Sequence, residues 1–227
     1  MRKALSTAFA VVLLVSLGSR PAHASPIALA LLDSLGHSSG VIIDGSAGDA
    51  DPADGVVSFS GVIGDWTVNT TSGSGGVPGV MGLNSLNASA STTSSLFVLF
   101  TQLDDTAIGS FNGSFLAVMQ NGTAAYGAFG DAGNAGFAQT SPIGAAGPFT
   151  AGNAFQTFSD TFIGPGPVSG PYSLTQLFVI SGNGEGATIF GGQAELHPAP
   201  EPVSLILVGS GMAAAGLRAR RAARRHS

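Results

Sequence analysis

Between residues 25 and 196 hydrophobic positions fall in short runs broken by Gly, Ser, Asp and Pro, and the readable period is two rather than 3.6. Val56–Ile63 and Trp66–Thr71 flank Gly64-Asp65, a two-residue loop with glycine first, as a type II′ hairpin prefers. Pairing Ile63 with Trp66 sets Gly61 against Val68 and Phe59 against Thr70 on one apolar face. The other face (Val62 with Thr67, Ser60 with Asn69, Ser58 with Thr71) is mostly polar, which predicts an antiparallel sheet packed on one side. Leu86, Ala88 and Ala90 alternate with Asn87, Ser89 and Ser91. Leu96–Leu103 is almost continuously apolar, as a strand buried on both faces would be. Asn121-Gly122, between Phe115–Gln120 and Thr123–Phe129, predicts a second hairpin.

The rest is weaker in pattern. Pro26–Leu35 fits a strand or one helical turn. Thr70–Val80 and Gly130–Asn153 read as Gly-rich loops, Ala154–Ile163 as a strand, and Gly164–Pro171 as a stiff connector. Ser173–Ser181 and Thr188–Leu196 read as a last strand pair around Gly182–Gly186. Strands at this frequency predict an all-β fold, an antiparallel jelly-roll-like β-sandwich over residues 25–196. No fixed-period repeat argues for a solenoid.

Charge changes the picture. The eight basic residues are Arg2, Lys3, Arg20, Arg218, Arg220, Arg221, Arg224 and Arg225, so none falls from Ser25 to Pro200. That stretch holds 12 of the 13 acids and carries a formal −12. Nucleic acid and anionic lipid should be repelled by such a body, and its counter-ions are solvent cations. The same acidity also serves simple solubility. Cysteine is absent, which removes disulfides, thiol nucleophiles and thiolate metal sites.

The two ends differ from the body. Met1–Ala24 has a positive start (Arg2, Lys3), an apolar run Ala4–Leu17 and a small-x-small site at Ala22-His23-Ala24. This predicts a secretory signal peptide cleaved before Ser25 by signal peptidase after passage through the Sec translocon. Residues 197–227 join Pro200-Glu201-Pro202 to an uncharged run, Val203–Leu217, and then to Arg218, Arg220, Arg221, Arg224 and Arg225. As a helix that run would span about 22 Å, short of the roughly 30 Å hydrocarbon core. With the arginines held on the cytoplasmic side it predicts a short hydrophobic helix that sits transiently in the inner membrane. The two prolines hold Glu201 in an extended segment accessible to a recognising protein.

This three-part tail resembles the PEP-CTERM sorting domain of exported bacterial proteins. The resemblance covers about 30 residues at the C-terminus. The run from Asp44 to Thr71 and the closing PYSLTQLFVI…GQAEL are similar, less specifically, to the β-rich bodies of many such proteins. The resemblance implies a Gram-negative host, recognition and cleavage near the motif by an exosortase, and a cell-surface or matrix location with exopolysaccharide and biofilm. It supplies no activity for the body.

Candidate chemistry inside the body is sparse. Asp44, Asp49, Asp51 and Asp54 lie among glycines and offer the oxygen ligands that calcium needs. The spacing departs from the EF-hand loop, with Ala53 at position five and no closing glutamate, and an Asp/Gly turn feeding the next strand fits equally. Gly36-His37-Ser38-Ser39-Gly40 matches the nucleophile-elbow pattern of serine hydrolases, but a strand-like VII follows it instead of a helix. Asp104-Asp105 could be paired carboxylates or a strand-end turn. N-x-S/T sequons stand at Asn69, Asn87, Asn112 and Asn121. Trp66 reads as a core anchor or as a sugar-stacking platform.

Three functional classes follow. The leading one is a non-catalytic exported surface or matrix protein, bridged to anionic exopolysaccharide by divalent cations. The alternative is a secreted carbohydrate-binding module using Trp66, Tyr126 or Tyr172 as stacking residues. The third is a secreted serine hydrolase using Ser38.

Overall fold

The structure is a computed structural model that describes residues 25–199. The signal peptide with Ala22 and Ala24, Pro200-Glu201-Pro202, the apolar run and the terminal arginines lie outside the described residues. Twelve strands build the body: β1 (Ile27–Asp33), β2 (Ser38–Ile43), β3 (Val56–Ile63), β4 (Trp66–Val77), β5 (Val80–Ala90) and β6 (Ser95–Asp105). β7 (Ser110–Gln120), β8 (Gly122–Asp131), β9 (Ser141–Ala151), β10 (Gln156–Pro165), β11 (Tyr172–Gly182) and β12 (Ala187–Pro198) complete it. No helix among the described residues is long and apolar enough to cross a membrane.

Two six-stranded antiparallel sheets face one another, β2-β1-β6-β11-β8-β9 (sheet A) and β10-β7-β12-β5-β4-β3 (sheet B). The last eight strands pair as nested hairpins, β8 with β9, β7 with β10, β6 with β11 and β5 with β12. Folding that nested strip over a core alternates its pairs between the sheets, which is the jelly-roll arrangement expected from the sequence. β1–β2 extends sheet A beside β6, and β3–β4 extends sheet B beside β5.

The Gly64-Asp65 hairpin forms with Ile63 opposite Trp66, and of the two loop residues only Gly64 has positive φ (56°). Beyond Gly61 the expected register slips: a bulge sets Phe59 against Thr71, so the Phe59–Thr70 and Ser58–Thr71 pairs do not form. Asn121-Gly122 makes no hairpin. β7 and β8 belong to opposite sheets, and Asn121, at φ 54°, is where the chain crosses between them. The turn-forming residue types suit a sharp reversal, but β10 and β12 already occupy both edges of β7. β11 and β12 are likewise in opposite sheets and are not partners.

Two stretches expected as loops are strands. β4 runs through the Gly/Ser segment to Val77, because its glycines leave room for the core: a Cβ at Gly73 would overlap the Phe100 ring. Ser141–Ala151 forms β9, in which a Cβ at Gly144 would overlap Phe162. Glycine here provides space for aromatic rings rather than flexibility. Pro26–Leu35, ambiguous in sequence, resolves as β1.

The core includes a cluster of rings from both sheets. Phe115 lies 5.1 Å from Phe178, 5.4 Å from Phe149 and 6.2 Å from Tyr126, and Phe149 is 5.3 Å from Phe158. Trp66 is fully buried, its Nε1 donating to Ser94 Oγ at 3.0 Å.

The outward faces of the two sheets differ in chemistry. On sheet A the cross-strand rung Val41–Ala30–Leu99–Leu177–Gly127–Ala145 contains no polar side chain, and neither does Leu32–Phe97–Val179–Ala125. On sheet B the outward positions of β3, β4 and β5 are mostly Ser, Thr and Asn, with Asn69 bonded to Asn87 (3.2 Å) and Asn84 to Ser74 (3.3 Å).

Candidate ligand-binding groove

Strand alternation puts every second residue of β10, β7 and β12 on the outward face of sheet B. The register then fixes a three-by-three grid: Ile163–Asn112–His197, Thr161–Ser114–Glu195 and Ser159–Leu116–Gln193. Neighbouring strands stand about 4.8 Å apart and successive outward residues roughly 6.8 Å apart.

Two recesses cover this grid, of about 470 Å³ around Asn112, Thr161, Ile163 and His197, and about 530 Å³ around Leu116, Ser159, Gln193 and Glu195. Both are lined by Ser114 and Thr161, so they are halves of one open groove. Ile163, 75% exposed, and Leu116, 38% exposed, give it apolar contact area. Hydroxyls, amides and the Glu195 carboxylate give it hydrogen-bonding groups that are not consumed by the fold. Glu195 Oε2 lies 3.1 Å from His197 Nε2, both side chains about half exposed, which orients the imidazole along the groove wall.

The residues singled out in the sequence are placed otherwise. Asp44 accepts from Gly55 N (2.8 Å), and Asp49 accepts from Gly45, Asp51 and Ser58 N. Asp51 accepts from Ala53 N (3.0 Å). These carboxylates stitch the β2–β3 loop, and no group of three or more acidic or histidine side chains able to hold a metal gathers among the described residues. Ser38 opens β2, its Oγ accepting from Gly40 N, and the following strand rules out the strand-to-helix elbow. His37 Nδ1 bonds Asp33 Oδ2 at 2.7 Å.

Tyr126 and Tyr172 are buried with Trp66, so none of the three proposed stacking residues presents a face to a ligand. Burial pushes the Tyr126 and Tyr172 hydroxyls far up, for Tyr172 with help from the nearby Asp105 charge. Asp104 and Asp105 part, Asp104 exposed and Asp105 fully buried, but through a bulge at which Asp104 takes φ 54° rather than through regular alternation. Among the sequons Asn121 is buried and Asn112 lies in the groove.

The groove residues themselves escaped the sequence reading. The alternations Asn112-x-Ser114 and Gln193-x-Glu195-x-His197 were visible, but nothing local joins β7, β10 and β12.

No family model and no curated protein matches the chain. Solved structures similar to it include the CBM22-1 xylan-binding domain from Paenibacillus barcinonensis, at 10% identity over 65% of this chain and 89% of that one, with a TM-score of 0.33. The N-terminal cellulose-binding domain of a Cellulomonas fimi β-1,4-glucanase is similar at 13% identity over 68% and 93% of the two chains, TM-score 0.38. The active domain of tailspike protein 4 from bacteriophage CBA120 is similar at 19% identity and TM-score 0.34, and the match spans 66% of this chain but only 20% of the tailspike chain.

Proposed function

We propose that the chain is an exported surface protein that holds a polysaccharide in the sheet B groove. The observation that carries this is the nine-residue grid, in which two exposed aliphatic side chains stand among hydroxyl, amide and carboxylate groups free to bond sugar hydroxyls. A pyranose ring presents apolar C–H patches ringed by hydroxyls, and the grid offers the complement. A neutral glycan fits best, because the groove holds Glu195 and the rim residue Asp160 but no Lys or Arg. Catalysis is not part of this reading.

Export and sorting are proposed from the terminal segments: Sec export, then exosortase recognition of Pro200-Glu201-Pro202 with the arginines held on the cytoplasmic side. The fold agrees with handling from one side. Ser25 N bonds Gly76 O and Ala199 N bonds Ser110 O, which sets both ends of the body at the same end of the sandwich. The loop of Asp44, Asp49, Asp51 and Asp54 lies there too.

Affinity electrophoresis of the chain in gels cast with neutral and acidic polysaccharides tests the groove. Retardation by a neutral glycan that Asn112→Ala and Glu195→Ala abolish supports it, and equal retardation of these variants refutes it. Intact-mass analysis of the protein from its native host tests sorting: a C-terminus near Pro200 supports it, and one at Ser227 refutes it.

A further inference from the structure

We propose that Asp160 guards an open sheet edge: its charge keeps β10 from pairing, edge to edge, with the β10 of a second copy. Sheet A ends in β2 and β9, and sheet B in β3 and β10. Three of these edges are interrupted in ways that hinder strand addition. β2 has six residues and a register break against β1, β3 is bulged between Phe59 and Gly61, and β9 carries Pro142 and Pro148 besides two register breaks. β10 has none of these. Ten unbroken rungs from Gln156 to Pro165 join it to β7, and its one proline is the last residue.

Hydrogen bonding and packing define the open part of that edge. Asp160 Oδ1 accepts from Thr161 N at 2.8 Å, so the Thr161 amide points away from β7. Antiparallel pairing alternates, so the amides of Thr157 and Ser159 point the same way. Towards its C-terminal end β10 lies against β9, where a Cβ at Gly164 would overlap the Ile143 carbonyl. That leaves Gln156 to Thr161 open, all exposed except the half-buried Phe158, with the exposed Phe155 just ahead.

The sequence of this stretch suits strand addition. Phe155–Ile163, FQTFSDTFI, is rich in β-forming residues, lacks glycine and proline, and has one charge, Asp160. Asp160 stands opposite the buried Phe115 and between Phe158 and Phe162, so regular alternation would aim it at the core. Instead it is exposed and turned to the edge, onto the next amide. An inward-facing charge on an edge strand is one of the devices that block pairing. A second β10 laid alongside would displace Asp160 from the Thr161 amide and enclose its carboxylate. No Lys or Arg falls from Ser25 to Pro200, so the body of a second copy brings no cation to meet that charge.

Sedimentation velocity on the full chain tests this, with the parent, Asp160→Asn and Asp160→Val compared at one concentration. Asp160→Asn keeps the shape and an acceptor for the Thr161 amide and removes only the charge, while Asp160→Val adds a β-forming apolar side chain. Both should show a weight-average mass about twofold or more above that of the parent, as isologous edge pairing requires. Ser159→Pro removes an outward amide and leaves the β7 ladder intact, so Asp160→Val/Ser159→Pro should return to the parent mass. Asp160→Asn at the parent mass, or a double variant as large as Asp160→Val, overturns the proposal. Association through the terminal segments would be common to all these proteins and cancels in the comparison. If Asp160→Val fails to fold, Asp160→Asn with and without Ser159→Pro decides the matter.

Discussion

Asp33 Oδ2 accepts a 2.7 Å bond from His37 Nδ1, and the Asp33 side chain is fully enclosed while the imidazole is 58% exposed. Asp33 Oδ1 takes the amides of Leu35 and His37, so one carboxylate closes the whole β1–β2 turn. Enclosure pushes the Asp33 carboxyl up, but the bonds from the His37 ring and amide and the Leu35 amide, with the His37 charge, hold it below 3.8. Asp131 is also held low, by the Ala135 amide and the Thr140 hydroxyl, against some desolvation. A depressed carboxyl contributes stability that is fully present above its unfolded value and is lost as pH falls through its folded value. Thermal melts should therefore show Tm level from pH 7 towards 5 and falling below about 4. Asp33→Asn/Asp131→Asn should lower Tm at pH 7 and flatten the acid side; an unchanged acid slope would count against this account.

Gly64 packs against that pair. Its φ is 56°, and a Cβ there would overlap the Asp33 carboxylate. Gly64→Ala should cost about 2 kcal/mol or more, combining backbone strain with loss of the turn bonds. Urea denaturation reads the cost. A midpoint equal to that of the parent would show that the turn yields freely.

Asp105 is the buried polar node of the opposite end. It accepts from Gly79 N (2.6 Å), Gln102 Nε2 (2.7 Å) and Ala107 N (2.8 Å). Asp105→Ala strands three donors and should cost about 3 kcal/mol or more. Asp104, exposed but at φ 54° and bonded to Asn134, should lose less on Asp104→Ala, about 1–2 kcal/mol. Comparing their denaturation midpoints tests whether adjacent aspartates differ as their burial requires.

Ile163 separates binding from stability. At 75% exposure it contributes little to the core, so Ile163→Ser should leave Tm within about 2 °C. If the groove seats a sugar ring, the same change should weaken polysaccharide retention about fivefold or more. Unchanged retention would remove Ile163 from the binding surface.

Much of the strand content was legible because burial leaves a local trace. Leu96–Leu103 reads as a buried strand since both its faces are covered or nearly so, and Leu86-x-Ala88-x-Ala90 reads as half-buried because alternate residues meet the core. Local signals misled where tertiary contacts outrank them. Asn121-Gly122 carries the chemistry of a hairpin, yet sheet B pairs β7 with β10 and β12 and sends the chain across. The glycines of β4 and β9 resemble loop residues until Phe100 and Phe162 are seen to fill the space a Cβ would need.

The sequence by itself determined the all-β class, the cation-free acidic body and the segregation of every basic residue into the terminal segments, since composition and period-two patterning are local properties. Only the tertiary structure decided the rest. It buried Trp66, Tyr126 and Tyr172, turned the carboxylates of Asp44, Asp49 and Asp51 onto backbone amides, and assembled Asn112, Thr161, Ile163, Glu195 and His197 from three strands far apart in the chain. Nested pairing across long loops is a non-local choice, made by the burial of the whole core, and no window of sequence contains it.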